Sequence, residues 1–153
     1  MTAETVIREA VARGLTVATC ESITGGGIGH ALTDVPGSSS VFRGGLITYA
    51  SDLKVALAGV DATMVEELGV VNEPVARAMA EGARSRCGAD FAVATTGVAG
   101  PTTDSEPVGT VWFAVAGPHG TDAQRVHFEG DRAAVRSSAV THALLTLIAA
   151  IRE

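Results

Sequence analysis

Blocks of apolar residues alternate with polar and glycine-rich stretches along the chain, and they predict helices and strands in turn. Residues 3–13 place their apolar side chains at helical spacing, which predicts an amphipathic first helix that ends at Gly14. Residues 16–20 form a short, largely apolar block that is typical of a buried strand. This strand leads directly into a glycine-rich turn and a second helix that reaches about Leu32.

The rest of the chain continues this alternation. Further strands are predicted at residues 46–49, 91–95, 108–115 and 123–128, the last two as a hairpin. Helices are predicted at residues 51–57, 62–68 and 73–87, and from Asp131 nearly to the end. We therefore expect an α/β fold with a single domain over residues 1–153. Its predicted architecture is a three-layer α/β/α sandwich with a mixed, mostly parallel sheet of about five strands.

Composition and charge exclude several functional classes. The formal net charge is −6 and the pI is near 5.1, whereas a nucleic-acid-binding surface would ordinarily show a basic stripe. The two cysteines and four histidines lack metal-ligand spacing, so neither a metal nor another cofactor is expected. The N-terminus has no signal-peptide pattern, and the apolar stretch at 143–151 is too short to span a bilayer. We expect a cytoplasmic protein that binds neither nucleic acid nor membranes.

Loops after the predicted parallel strands are the expected place for a ligand, because ligands bind beyond the carboxyl ends of such strands. The first loop, E-S-I-T-G-G-G, offers consecutive backbone N–H groups that lead into a helix N-terminus, which predicts an anion site. Ser22 and Thr24 could add hydroxyl donors. Alternatively, the glycines only let the helix pack closely on the strand. We favour phosphate binding because the turn follows the strand directly.

Two other segments could contact a ligand. The loop at residues 95–101, T-T-G-V-A-G-P, consists of small residues that allow close approach to the backbone, but it could equally be an ordinary turn. Arg132 and Arg136 lie four residues apart near the start of the last helix and so share a face. They could clamp a phosphate or a carboxylate. Surface pairing with Glu129 and Asp131 is the favoured interpretation from spacing.

A serine, tyrosine and lysine group lies between residues 36 and 54. Lys54 is the only lysine among eleven basic residues, Tyr49 is the only tyrosine, and Ser38-Ser39-Ser40 stands about ten residues upstream of it. A desolvated lysine can lose its proton near neutral pH, which arginine cannot do, so the group suggests a hydrolytic constellation. Spacing alone favours solvated, non-catalytic side chains.

The segment T-G-G-G-I-G, followed by a tyrosine and a lysine, also resembles the signature of short-chain dehydrogenases. Four residues separate Tyr49 from Lys54, whereas that family has three. The tyrosine also comes too early for a complete dinucleotide-binding half, and the chain is short for that fold. The dehydrogenase interpretation is therefore rejected.

Several motifs follow one another in the order E-S-I-T-G-G, P-G-S-S-S-V-F-R-G-G-L-I-T-Y-A-S-D-L-K, T-G-V-A-G-P and P-V-G-T-V-W. With V-N-E-P-V-A-R-A-M-A-E-G-A and G-D-R-A-A-V-R, nearly the whole chain resembles the CinA C-terminal domain family. The resemblance implies an α/β/α fold and deamidation of nicotinamide mononucleotide, giving nicotinate mononucleotide and ammonia. It also implies that the protein is a homo-oligomer and that its substrate is a small-molecule nucleotide.

The resemblance further implies a Ser–Tyr–Lys catalytic set, which by motif position is Ser39, Tyr49 and Lys54. Ser39 would be the nucleophile and Lys54 the base, while Tyr49 would relay a proton or orient the amide. The loops after the first and third strands would hold the nucleotide, with an arginine of the last helix. These substrate-binding residues are Glu21, Ser22, Thr24, Gly25, Gly26, Thr96, Gly97, Ala99, Gly100 and Arg136.

The chain departs from the family's pattern at two places. Ile23 stands where the first motif often has cysteine, and residues 102–106 replace the usual glycines and lysine with a more acidic loop. The second change leaves a related amide as an alternative substrate, and a non-catalytic nucleotide-binding module is the alternative function. Two further questions stay open: which of Ser38, Ser39 and Ser40 attacks, and whether a neighbouring subunit completes the site. With no molybdopterin-binding-like domain before residue 1, we expect the stand-alone form.

Overall fold

The computed structural model describes residues 2–153. Helices and strands alternate through most of the chain, as the apolar pattern predicts. Their bounds are α1 Thr2–Arg13, β1 Val17–Glu21, α2 Gly27–Thr33, β2 Phe42–Ile47, α3 Ser51–Ala56, α4 Ala62–Leu68, α5 Glu73–Cys87, β3 Phe91–Gly97, β4 Thr110–Gly117, β5 Gly120–His127 and α6 Arg132–Arg152. A short 3-10 turn at Ser38–Ser40 precedes β2.

The five strands form one mixed sheet in the order β2-β1-β3-β4-β5. β1 pairs in parallel with β2 on one side and with β3 on the other, while β4 is antiparallel to both β3 and β5. β5 therefore runs in the same direction as the three parallel strands, and only β4 is reversed. This confirms the expected α/β fold. It also brings the carboxyl ends of β1, β2 and β3 together at one end of the sheet.

Helices cover both faces of the sheet and create two cores of different composition. α1, α2 and α6 cover one face, where large side chains such as Phe113, Leu147 and Ile28 are fully buried. α5 crosses the other face over a core built mainly of alanines from β1, β3 and β4, together with Met79. Small residues on that side let the helix lie close to the sheet. The arrangement is the three-layer α/β/α sandwich expected from the sequence.

α6 is long and apolar enough, by length and composition, to cross a membrane. One face of this helix packs against α1 and the sheet, and it buries Val135, Ala139, Ala143 and Leu147. Burial in the protein core therefore accounts for these apolar side chains.

The boundaries of β2 differ from the prediction. The strand spans Phe42–Ile47 rather than residues 46–49, because its parallel pairing with β1 begins at its first residue. Gly44 and Gly45 concealed the first half of the strand from the apolar pattern. A side chain at position 45 would collide with Thr19 of β1, so the pairing requires glycine there. Smaller shifts at β3, β4 and β5 follow from their antiparallel pairing.

Candidate active site

A cavity of about 230 Å³ opens at the carboxyl ends of β1, β2 and β3. The segments that follow these strands supply most of its wall, and the start of α6 closes one side. This is the position expected for a ligand in a parallel sheet. The lining residues are Ser22, Ile23, Tyr49, Ser51, Lys54, Val70, Val71, Thr96, Gly97, Ala99, Asp104 and Arg132.

Lys54 is the most unusual side chain in this cavity, because it is only 1% exposed. Its Nζ donates to Ser22 Oγ at 3.0 Å and to the carbonyl oxygens of Thr48 at 2.6 Å and Tyr49 at 3.4 Å. Burial lowers the pKa of this amine, since desolvation disfavours its charged form. Ser22 is itself only 8% exposed. The structure thus joins a lysine of lowered pKa to a serine hydroxyl beside an open cavity.

The glycine-rich turn after β1 is already occupied by a carboxylate of the protein itself. Glu21 is buried, and its two oxygens accept from the backbone N–H groups of Gly26, Ile28 and Gly29. They also accept from the hydroxyls of Thr19 and Thr24. These three N–H groups are therefore not free for the phosphate that the sequence predicts at this turn, because the side chain of Glu21 already accepts from them.

The neighbouring residues of this turn support its shape and do not line the cavity. Thr24 Oγ1 bonds to Glu21 and lies 2.9 Å from Thr95 Oγ1. Gly25 and Gly26 adopt positive φ angles of 57° and 101°, which the turn requires. Arg136 donates to the carbonyl oxygens of Ile23 at 3.0 Å and Thr24 at 3.4 Å. The structure does not bring Glu21 and these four residues (Thr24, Gly25, Gly26 and Arg136) into the cavity wall.

The loop after β3 does reach the cavity, as the sequence predicts. Thr96, Gly97 and Ala99 line it, and Thr96 is fixed by a 2.7 Å hydrogen bond from its Oγ1 to the carbonyl oxygen of Val70. Gly97 has no space for a side chain against β4. Gly100 lies just outside the lining.

Arg132 and Tyr49 form one wall of the cavity together. Arg132 Nη2 donates to the hydroxyl of Tyr49 at 3.1 Å, and Nη1 donates to the carbonyl oxygen of Gly100 at 2.7 Å. The tyrosine side chain is 62% exposed, so it stands at the mouth of the cavity. Of the two arginines singled out on α6, Arg132 is the one that faces the ligand space.

Ser39 lies at the opposite end of the strands from the cavity, before the first residue of β2. The Ser38–Ser40 turn stands before β2, next to the start of β1, where Val17 N–H donates to Val41. Tyr49 and Lys54 come after the end of β2. A strand of six residues is roughly 17 Å long. Within one chain the structure therefore does not bring Ser39 to Lys54, and the serine that contacts the lysine is Ser22.

A model of the CinA C-terminal domain matches residues 1–151. The chain belongs to this family. A competence-damage inducible protein of Symbiobacterium thermophilum is 51% identical over 86% of this chain, and a CinA-like protein of Anaeromyxobacter sp. is 48% identical over 97% of it. These alignments cover 34% and 37% of the two relatives, so the chain spans about a third of their length. Their names state no reaction.

The competence damage-inducible protein A of Klebsiella pneumoniae has the same fold. Its crystal structure superimposes with a TM-score of 0.96 and 32% sequence identity, and the match covers 99% of this chain and 96% of that one. The agreement extends over the whole sheet and all three layers, so this chain has the fold of the CinA superfamily.

Sequence reasoning did not assign several lining residues of this CinA domain to the site. They are Ile23, Ser51, Val70, Val71, Asp104 and Arg132. Arg132 shares a helix face with Arg136, and helical spacing alone cannot say which of the two faces the cavity. Ser22 was predicted to bind substrate, and its contact with Lys54 depends on the parallel pairing of β1 with β2, which spacing does not reveal.

Proposed function

We propose that this CinA domain is an amidohydrolase that removes ammonia from the carboxamide of nicotinamide mononucleotide and leaves nicotinate mononucleotide. The observation that carries the proposal is the 3.0 Å contact between Lys54 Nζ and Ser22 Oγ at the wall of the cavity. The motifs shared with the CinA C-terminal domain family support the choice of substrate. In this proposal Ser22, rather than Ser39, is the nucleophile.

The lysine acts as the base in its neutral form. Burial lowers the pKa of Lys54, which increases the fraction of neutral amine near neutral pH. A neutral amine has two N–H bonds and one lone pair. The carbonyl oxygens of Thr48 and Tyr49 match the two N–H bonds, so the lone pair is directed at the hydroxyl of Ser22. This geometry suits transfer of the serine proton as Oγ attacks.

The bonds and protons balance over two half-reactions. In the first, Ser22 Oγ bonds to the carboxamide carbon, the hydroxyl proton passes to Lys54 Nζ and then to the amide nitrogen, and the C–N bond breaks to release ammonia. In the second, water attacks the resulting ester carbon and the C–Oγ bond breaks. One proton of this water returns through Lys54 to Ser22, and the acid leaves as a carboxylate with its other proton released to solvent.

Backbone and arginine groups complete the proposed site. The N–H of Ile23 directly follows Ser22 and, within residues 2–153, makes none of the hydrogen bonds that hold the turn. We assign it to the oxyanion of the tetrahedral intermediate, where a fixed donor is most effective. Arg132 is assigned to the phosphate group, because a guanidinium binds phosphate oxygens through paired N–H bonds. Tyr49, which Arg132 holds, lies beside that anion.

Ammonia release from nicotinamide mononucleotide tests this function and its nucleophile. We expect turnover by the wild type to survive a chelator, and Ser22→Ala and Lys54→Arg each to lower kcat/KM by about 10³-fold or more. Lys54→Arg keeps the positive charge but cannot accept the proton. Ser39→Ala is the matched comparison and should keep near-wild-type activity. Loss of activity in Ser39→Ala with retention in Ser22→Ala would refute the nucleophile assignment, and no release by the wild type would refute the reaction.

A further inference from the structure

Asp104 lies in the cavity wall, in the acidic loop that departs from the family's pattern. The loop is fastened at its base by hydrogen bonds from Val98 N–H to Thr110 and from Gly109 N–H to Val98. Arg132 holds it at Gly100, near its start. The Asp104 side chain is exposed and accepts from the backbone N–H of the next residue through Oδ1 at 2.8 Å. The second carboxylate oxygen, Oδ2, makes no hydrogen bond within residues 2–153.

The charged groups in the wall have both signs. Within residues 2–153, Asp104 is the only carboxylate among the lining residues, and Arg132 and Lys54 are the only basic groups. Burial lowers the pKa of Lys54 and so reduces its charge. Arg132 therefore supplies the permanent positive charge of the cavity wall. A cavity that presents one guanidinium and one carboxylate complements a ligand that carries an anion and a cation on different parts of one molecule.

We propose that Asp104 is a specificity-determining residue that selects ligands with a positively charged aromatic ring. This inference rests on the proposed function, because the pyridinium ring of nicotinamide mononucleotide carries such a charge while its phosphate supplies the anion for Arg132. The carboxylate of Asp104 favours the cationic ring over the same ring in its uncharged, reduced form. Asp104 is exposed, so solvent screens the interaction and its contribution is modest.

Oxidised and reduced nicotinamide mononucleotide test the proposal, because they share the carboxamide, ribose and phosphate and differ in ring charge. Their dissociation constants are measured by titration calorimetry in the Ser22→Ala background, which avoids turnover. We expect the oxidised form to bind more tightly, and Asp104→Asn to weaken its binding by about fivefold while leaving the reduced form unchanged. Asn retains an oxygen for the local backbone hydrogen bond. Glu106→Gln is the matched control in the same loop and should preserve the preference.

Three results would overturn the assignment. Equal weakening of both forms in Asp104→Asn would mean that the carboxylate binds the ribose or shapes the loop. An unchanged dissociation constant for both forms would mean that the carboxylate does not contact the ring. If neither form binds to the Ser22→Ala protein, nicotinamide mononucleotides are not ligands of this cavity. A wild type that binds with this charge preference but releases no ammonia would refute the proposed reaction while supporting the role of Asp104.

Discussion

Glu21 and Lys54 are both buried ionisable groups near the carboxyl ends of the parallel strands, but their surroundings differ. Five donors surround the carboxylate of Glu21, three of them backbone N–H groups of the following turn and helix. Lys54 has two carbonyl oxygens and one serine hydroxyl, and it borders an open cavity. The first group is saturated by the fold, whereas the second has a reactive partner and room for a ligand.

This difference shows how to separate structural from reactive buried charges. A carboxylate whose oxygens are filled by the protein stabilises a turn and has no capacity left for substrate. A lysine without a carboxylate partner is destabilised in its charged form by burial, and it therefore becomes a base. Glu21 ends one parallel strand and Lys54 follows the next one along the chain, and their hydrogen-bond partners distinguish the two groups.

Replacement of the carboxylate should give the largest effect on stability. We expect Glu21→Gln to lower the free energy of unfolding by about 3 kcal/mol, because the amide nitrogen of glutamine would face donors that now bond to one of the two carboxylate oxygens. Urea unfolding measures this loss. Glu66→Gln is an exposed control on α4 and should change the free energy by less than about 0.5 kcal/mol. Equal stability of the two variants would show that the turn does not depend on Glu21.

The two arginines of α6 should differ in their roles, with smaller effects on stability than the replacement of Glu21. We expect Arg132→Gln to raise KM for nicotinamide mononucleotide by about tenfold, since it removes the guanidinium from the cavity wall. Arg136→Gln should instead lower the free energy of unfolding by about 1 kcal/mol, because it removes the hydrogen bonds to the turn carbonyls. Steady-state kinetics and urea unfolding of both variants check the contrast. The reverse pattern would mean that Arg136 contacts the substrate.

The apolar pattern predicted the α/β/α layers, the five strands and most helix ends, because burial repeats with the period of each element. The caps of α5 are an example. Asn72 accepts from the N–H of Val75, and Gly88 ends the helix in a left-handed conformation, so α5 has the predicted bounds of residues 73–87. Local signals of this kind depend on near neighbours in sequence.

The candidate site was less predictable, because it depends on contacts between distant segments. The family resemblance implied that Ser39 acts with Tyr49, but β2 lies between them and separates them to its opposite ends. The contact between Ser22 and Lys54 spans 32 residues and forms only when β1 and β2 pair. Likewise, the glycine-rich turn looked like an anion site because the pattern does not show where the side chain of Glu21 points.

The most direct test of the account is the pKa of Lys54, which can be measured alone because it is the only lysine in the chain. Protein labelled with ¹⁵N-lysine gives one side-chain resonance, whose shift is followed against pH. We expect a pKa below the ordinary value of about 10.4, because burial disfavours the ammonium. Activity should then rise with pH through that pKa, as the amine becomes neutral. A pKa at or above the ordinary value would contradict the assignment of Lys54 as the base.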